Sequence, residues 1–270
     1  MRIDIFMSAN TFELNTVLMR STFKLADKES IGTAFIVGRM SEKNATKAYY
    51  VMVTAAHVLE EMKGTHAILY LRKRNENYQK VPYPFEIRRE GKPLWTTHPD
   101  KAVDIAVMYV ALPQDIDILL LPTAVLADDE VLEKFEIHPG DELMCLGYPF
   151  GSEATEAGFP ILRSGKIASY PLIPTKQIKT FLYDFRVFRG NSGGPVYFVE
   201  SGRTYAGGMH VGLIQFIAGL VSQEHVIREK VESLYEVREE RHPLSLATVV
   251  HASFIKEAIE MLPRLDQILS

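Results

Sequence analysis

The sequence predicts an all-β fold built as a sandwich or a barrel, and two observations support this. Short β-branched and aromatic segments recur along the chain, as in residues 49–54 (YYVMVT), 67–71 (AILYL) and 104–110 (DIAVMYV). Glycine and proline separate these segments. Many short strands with frequent turns are typical of sandwiches and barrels. We therefore expect strands to supply most of the core.

The strand-like segments fall into two sets on either side of an acidic stretch. Residues 113–141 carry several Asp and Glu side chains and are typical of a connector. We place the boundary within this stretch. The sequence thus predicts a first β-unit at residues 1–120, a connector at 121–141 and a second β-unit at 142–270.

Two segments near the C-terminal end have helical patterns. Residues 223–241 are rich in charge and contain spaced apolar residues, which predicts one exposed amphipathic helix inserted into the second unit. Residues 253–262 place their apolar side chains on one helical face. Ser253 is a suitable residue to cap this terminal helix.

Composition argues against several classes of protein. The 270 residues carry a formal net charge of −4, whereas nucleic-acid binders usually show a basic excess. The longest apolar stretch, 211–221, is too short to cross a bilayer as a helix, and the first residues lack a secretory apolar core. Cys145 is the one cysteine, so no intramolecular disulfide forms. We therefore expect a cytoplasmic protein without nucleic-acid or membrane partners.

The most informative stretch is FRGNSGGP at residues 188–195. Glycine permits positive φ and lets backbone N–H groups converge on one point, as an oxyanion hole beside a nucleophile requires. A plain glycine-rich turn between strands is the alternative. Because the whole string 190–195 consists of such residues, the functional interpretation is favoured, and Ser192 is the candidate nucleophile.

A histidine and an aspartate accompany this serine. In the segment VTAAHV at residues 53–58, small neighbours leave the imidazole of His57 room to face another group. Asp104 stands at the head of an apolar strand, where a partly buried carboxylate needs a partner. Asp100 is its rival, but it lies in a turn where solvation is easy. Alone, each residue has a structural explanation; together with Ser192 they supply base, acid and nucleophile.

Three sequence blocks resemble the signature blocks of the chymotrypsin-like (trypsin-like) serine proteases. They are TAAH at residues 54–57, DIA at 104–106 and GNSGGP at 190–195. More specifically, they are similar to the bacterial Deg, or high-temperature-requirement, branch. Two further strings support this: GTAFIV at 32–37 and LGYPFG at 146–151.

The resemblance implies both a fold and a reaction. The fold would be two six-stranded antiparallel β-barrels with a C-terminal helix, and without an appended PDZ domain. The reaction would be that of a serine endopeptidase, in which Ser192 attacks the scissile carbonyl and forms an acyl-enzyme. His57 would act as general base and then as general acid, and Asp104 would orient it. The backbone N–H groups of Gly190 and Ser192 would form the oxyanion hole.

The resemblance also points to residues near the substrate. Ser222 would support Asp104. Gln223 and Glu224 depart from the family pattern, and the bulky Glu224 would narrow the primary specificity pocket. Arg186, six residues before the nucleophile, lies near the place of the pocket floor. Pointing inward, it would favour acidic substrate side chains; pointing outward, it would meet solvent or a carboxylate.

The expected partner is a protein or peptide substrate, with no metal or other cofactor. An active protease inside a cell needs control, for which three routes are open: a narrowed pocket, a disordered oxyanion loop, or a regulatory protein that docks on residues 223–241. A role as an effector in a stress or defence pathway keeps the same chemistry. The alternative is a latent or inactive scaffold or binding module, because fold alone does not give function.

Overall fold

The computed structural model describes residues 13–44, 46–74, 78–205, 207–232 and 237–268. Within them strands are the predominant regular secondary structure, and they are arranged in two β-units. The all-β fold expected from the sequence is thereby confirmed.

The first unit begins with helix α1 and contains ten strands, with helix α2 between the third and the fourth. The bounds are α1 Leu14–Ser21, β1 Thr22–Ala26, β2 Ile31–Met40, β3 Ala48–Thr54, α2 Ala56–Glu61, β4 His66–Arg72, β5 Lys80–Glu86, β6 Arg88–Arg89, β7 Lys92–Pro93, β8 Thr96–Thr97, β9 Ala106–Tyr109 and β10 Leu121–Pro122.

Eight of these strands form one sheet in the order β5-β4-β1-β2-β3-β9-β8, with β10 paired in parallel to β2. The first unit thus has eight strands in one sheet, where the resemblance implies a barrel of six antiparallel strands. Two of the eight, β8 and β10, have two residues each. Strand β2 lies at the centre of the sheet and is buried along almost its whole length, in keeping with its apolar sequence.

The connector and the second unit follow. A 3-10 turn at Thr123–Val125 precedes helix α3. The remaining bounds are α3 Asp129–Lys134, β11 Glu142–Gly147, a 3-10 turn at Pro149–Gly151, β12 Ile161–Ile167, β13 Thr180–Asp184, β14 Pro195–Ser201, β15 Thr204–Tyr205, β16 Gly208–Met209, β17 Leu213–Glu232, β18 Val237–His251, α4 Ala252–Met261 and α5 Leu265–Ile268. Six of the strands close into a barrel in the order β11-β12-β13-β18-β17-β14.

The helix predicted for residues 223–241 is wrong. The segment belongs to the long antiparallel strands β17 and β18, which pair from Gly219↔His251 to Glu232↔Val237. Because β17 already pairs with β14 and β18 inside the barrel, its continuation keeps the extended backbone that this pairing requires. Cross-strand hydrogen bonds thus outweigh the local helical pattern. Residues 233–236 lie outside the described part of the chain.

The terminal helix expected at residues 253–262 is present as α4. The predicted cap is wrong, because His251 stands at the N-cap position and its side chain makes no capping hydrogen bond. The Ser253 hydroxyl instead donates to Thr175 Oγ1 at 3.2 Å. Helix α4 joins the core of the first sheet through Phe254 and Ile255, and so packs the C-terminal end of the second unit against the first.

His251 is a buried titratable group at the junction of β18 and α4. It is 2% exposed, and its ring lies 4.9 Å from that of Phe181. Burial lowers the pKa of His251 from its ordinary value of 6.5 to about 4. Between these two values the unfolded chain binds more protons than the folded chain, so acid favours unfolding.

We predict that His251 makes the fold less stable in mild acid. Through this group, the free energy of unfolding should fall by about 2 kcal/mol between about pH 7.5 and about pH 5. In His251→Asn, which keeps a good N-cap residue, the fall in the free energy of unfolding over this pH range should be smaller by about 2 kcal/mol. Urea unfolding at both pH values measures the difference. The control is His138→Asn, at an exposed histidine, which should behave like the wild type. Equal losses in wild type and His251→Asn would contradict the prediction.

Candidate active site

His57 and Asp104 are brought together by the ends of two neighbouring strands. His57 lies in the first turn of α2, directly after β3, and Asp104 lies just before β9, which pairs with β3. The carboxylate makes two hydrogen bonds to the histidine. Asp104 Oδ1 accepts from the backbone N–H of His57 at 3.0 Å, and Oδ2 lies 2.7 Å from its Nδ1. The ring is therefore fixed in orientation.

A third hydrogen bond to Asp104 comes from the second unit. The Ser222 hydroxyl, on β17, donates to Asp104 Oδ2 at 2.5 Å. The Asp104 side chain is 23% exposed. This contact is the one expected for Ser222, and it joins the barrel directly to the carboxylate.

These contacts shift the pKa values of His57 and Asp104 in opposite directions. Burial lowers the pKa of His57, but the hydrogen bond and the negative charge of Asp104 outweigh it, so the pKa lies above 6.5. Burial raises the pKa of Asp104, but hydrogen bonds and charge from His57 and the hydroxyl of Ser222 outweigh it, so the pKa lies below its usual value. Asp104 is therefore ionised at neutral pH.

The loop that carries Ser192 is tied to β17 immediately beside Ser222. The N–H of Gly193 donates to the Val221 carbonyl at 2.7 Å, and the N–H of Val221 donates to the Gly194 carbonyl at 2.9 Å. Since Val221 directly precedes Ser222, the same strand segment holds the serine loop on one side and the Asp104 carboxylate on the other.

Strand β2 holds the serine loop from the first unit. The Thr33 N–H donates to the Ser192 carbonyl at 2.8 Å, and the Thr33 hydroxyl donates to the Gly190 carbonyl at 2.6 Å. The Thr54 hydroxyl, three residues before His57, donates to the Thr33 carbonyl at 2.7 Å. The serine loop is thus hydrogen-bonded to β2, which is bonded in turn to Thr54 near His57.

The backbone geometry at Gly190 leaves the N–H groups of Gly190 and Ser192 available to a ligand. Gly190 has φ +98°, and a Cβ there would lie 2.1 Å from the Tyr148 carbonyl oxygen, so the position requires glycine. The Arg189 carbonyl accepts from the N–H of Phe150 at 2.6 Å. In a trans peptide the next N–H points the opposite way. Within the described part of the chain, the N–H groups of Gly190 and Ser192 donate to no protein acceptor.

The side chain of Ser192 is half-buried. Among the described residues, its hydroxyl has no hydrogen-bond partner. Hydrogen bonds between a nucleophile and its base are often long without substrate and shorten when it binds. The hydrogen bonds of the serine loop to Thr33 and Val221 therefore bring Ser192 into the same region as His57.

The remaining candidate residues have different surroundings. Arg186 is exposed, and its guanidinium lies 5.2 Å from the centre of the Phe188 ring, which corresponds to the outward alternative. Gln223 is exposed and Glu224 is half-buried on β17. The rival carboxylate, Asp100, pairs with Lys179.

Sequence reasoning did not single out Thr33 and Phe150 as site residues. Thr33 is fully buried inside a mostly apolar strand. A buried polar residue needs a partner, and this is a signal that the sequence contains. Phe150 acts through its backbone N–H, which any residue but proline provides. Its φ of +52° is rare for a bulky residue and is visible only in the structure.

Comparison with known proteins identifies the family. Residues 32–206 match the model of the trypsin-like peptidase domain. This is more than half of the chain, so the chain belongs to the trypsin-like peptidase family. The match confirms the family resemblance drawn from the three sequence blocks. No curated protein sequence matches the chain significantly.

Solved structures of other proteins are also similar to this chain. The HtrA-type protease AlgW with a tripeptide is 14% identical, with 91% of this chain and 60% of that chain covered and a TM-score of 0.49. An inactive form of Rv3671c from M. tuberculosis H37Rv, with a serine-to-alanine substitution, is 17% identical, with 91% and 87% covered and a TM-score of 0.46. The chain thus spans about three fifths of the AlgW chain.

Two further observations concern membranes and metals. In the described part of the chain, no helix combines the length and the apolarity that crossing a bilayer requires. The described residues also contain no group of three or more His, Cys, Asp or Glu side chains arranged to hold a metal ion.

We predict that the pKa of His57 lies above 6.5 and depends on Asp104. In Asp104→Asn the ring stays buried but loses the negative charge, so its pKa should fall below 6.5. Titration of the ring nitrogens by NMR measures both values. Asp100→Asn, which removes the rival carboxylate, should leave the pKa as in the wild type. A wild-type pKa below 6.5, or one unchanged by Asp104→Asn, would contradict the assignment.

Proposed function

We propose that this protein is a serine endopeptidase that hydrolyses peptide bonds through an acyl-enzyme. Ser192 is the nucleophile, His57 the base and Asp104 the orienting acid. One observation carries the proposal: strand segment 221–222 bonds the serine loop and the Asp104 carboxylate at once, while that carboxylate bonds His57. Membership of the trypsin-like peptidase family supports it.

The contacts support one step for each group in the proposed reaction. Because Nδ1–H of His57 donates to Asp104, the other ring nitrogen is free to take the proton of the Ser192 hydroxyl. The serine oxygen then attacks the scissile carbonyl, and the N–H groups of Gly190 and Ser192 stabilise the developing oxyanion. His57 next gives its proton to the leaving amine. Water, activated by the same ring, releases the acyl group.

We also propose that residues 222–224 contact the substrate. Strand β17 pairs with β14 only as far as Leu220, and its other edge pairs with β18. Backbone groups of β17 beyond Ser222 are thus on the side of the serine loop, where an extended peptide can lie beside them. Gln223 and Glu224 would then touch substrate side chains, and Glu224 would narrow the pocket.

The location and control of the enzyme are part of the same proposal. The single cysteine, Cys145, is buried and leaves the chain without a disulfide, which suits a reducing cytoplasm. A role as a regulated effector in a stress or defence pathway, with a protein partner, is proposed because a protease there needs control. The long β17–β18 hairpin is the proposed docking element for such a partner.

We predict that a fluorophosphonate probe labels the wild-type protein and not Ser192→Ala. The probe reacts covalently with a serine that a neighbouring base activates. Mass spectrometry of the labelled protein should place the adduct on Ser192. In peptide hydrolysis, Ser192→Ala should lower kcat by at least about 10⁴-fold. Ser164→Ala, at an exposed serine of β12, is the control and should be labelled like the wild type.

Other labelling results would change the conclusion. Labelling of Ser192→Ala at another residue would refute the assignment of the nucleophile. Absence of labelling in both proteins, with the fold intact, would favour the latent or inactive scaffold.

We predict that kcat/KM rises with pH through an apparent pKa above 6.5. The reaction needs His57 in its neutral form, and Asp104 raises the pKa at which that form appears. A pH–rate profile on a peptide substrate without ionisable side chains measures this. In Ser222→Ala the Asp104 carboxylate loses one hydrogen-bond donor. The pH–rate profile of this variant should keep its rising limb, and its kcat should be lower than that of the wild type. A profile that falls between pH 6 and 8 would contradict a histidine base.

A further inference from the structure

Two arginines and three phenylalanines form a surface cluster beside the serine loop. Its members are Phe150, Arg163, Phe185, Arg186 and Phe188, here called the Arg–Phe cluster. The Arg163 guanidinium lies 4.1 Å from the ring of Phe185 and 5.2 Å from that of Phe188. Arg186 lies 5.2 Å from the same Phe188 ring, which is 5.2 Å from Phe150. Phe150 is 70% exposed.

The positive charges of this cluster are not neutralised. Within the described part of the chain, neither Arg163 nor Arg186 forms an ion pair with a carboxylate. Asp184 is exposed two residues before Arg186, yet these two described residues do not pair. By contrast, Arg20 pairs with Asp117 and Arg203 with Asp141 elsewhere in the structure. Arg163 and Arg186 are thus neighbouring arginines that carry charge without a carboxylate partner, in a chain whose formal net charge is −4.

The cluster is held in place before any ligand arrives. Arg163 donates to the Arg186 carbonyl at 2.7 Å, and Phe185 beneath it is buried. Contact with the aromatic rings restrains both guanidinium groups, and among the described residues their one hydrogen bond is that of Arg163 to the Arg186 carbonyl, so the other N–H donors remain available. Binding an anion there costs little side-chain entropy, which favours specific recognition of carboxylates.

The position of the cluster connects it to the site. The Phe188 carbonyl accepts from the N–H of Asn191 at 2.9 Å, in the turn that leads into Ser192. The N–H of Phe150 bonds the Arg189 carbonyl next to Gly190. Cluster residues are therefore bonded to residues 189 and 191, on either side of Gly190. A peptide bound at Ser192 would thus lie near the cluster.

We propose that the Arg–Phe cluster binds acidic side chains of the substrate next to the scissile bond, and so selects acidic segments for cleavage. This rests on the proposed peptidase function. Arg186 then favours acidic substrates from the surface, rather than from the floor of the primary pocket. The exposed ring of Phe150 adds an apolar contact for the peptide. The partner is a peptide with Glu or Asp near the cleaved bond.

Binding can be measured without catalysis. The full chain with Ser192→Ala is titrated with a fluorescent Glu-containing peptide and with its Gln-substituted twin, and anisotropy is recorded. We expect the Glu peptide to bind about tenfold more tightly, because two exposed ion pairs contribute a few-fold each, and the difference should shrink at high salt. When Arg163→Gln and Arg186→Gln are added to the Ser192→Ala chain, its affinities for the two peptides should differ by no more than about twofold. Lysine at both positions should restore part of the difference, and Arg89→Gln, at an arginine of another surface, should retain all of it.

Cleavage then locates the acidic position. A peptide series places one Glu, or one Gln, at each of four positions on either side of the scissile bond. The ratio of kcat/KM for Glu over Gln should peak on one side in the wild type and fall in the double Gln variant. Equal binding of the twin peptides by the wild type, or a difference that survives the double variant, would overturn the proposal. Tighter binding of a single-stranded oligonucleotide would also overturn it. Fluorophosphonate labelling of Ser192 is independent of all these results and separates failure of this proposal from failure of the peptidase assignment.

Discussion

The carboxylate of Asp104 accepts hydrogen bonds from both β-units, and the geometry of the site depends on it. His57 contributes a backbone and a ring N–H from the first unit, and Ser222 contributes its hydroxyl from the barrel. A partly buried carboxylate is stable only when such donors satisfy it. Because two donors belong to the first unit and one to the barrel, the carboxylate gains all three hydrogen bonds only when the units are docked. Fold and site are thus coupled through one group.

The serine loop is likewise held by strands of both units. Strand β17 binds the loop through Val221, and β2 binds it through Thr33. Each of these strands belongs to a different unit, so the loop lies where the two meet. Glycine at position 190 admits the close approach of the Tyr148 carbonyl, which a side chain would prevent. This packing fixes the backbone that carries the N–H groups of Gly190 and Ser192, the two groups that would bind an oxyanion.

Charge is distributed unevenly around this site. Asp104 concentrates negative charge behind His57, whereas Arg163 and Arg186 carry unpaired positive charge on the surface close to the serine loop. The first arrangement stabilises the protonated imidazole that forms during the proposed reaction. The second would attract acidic peptides to the same region, as proposed. The proposed chemistry and the proposed substrate choice therefore use groups of opposite sign.

The sequence by itself determined the strand-rich class and the terminal helix, and it supplied His57, Asp104 and Ser192 as candidates, because these depend on local composition and on residue types that the proposed chemistry requires. Tertiary structure decided the rest. Residues 223–241 have a helical pattern, yet they are strands because β17 continues a barrel edge and finds its hydrogen bonds in β18. The role of Thr33 and the outward direction of Arg186 depend on which distant segment lies against them. Such long-range contacts leave no periodic signal in a single sequence.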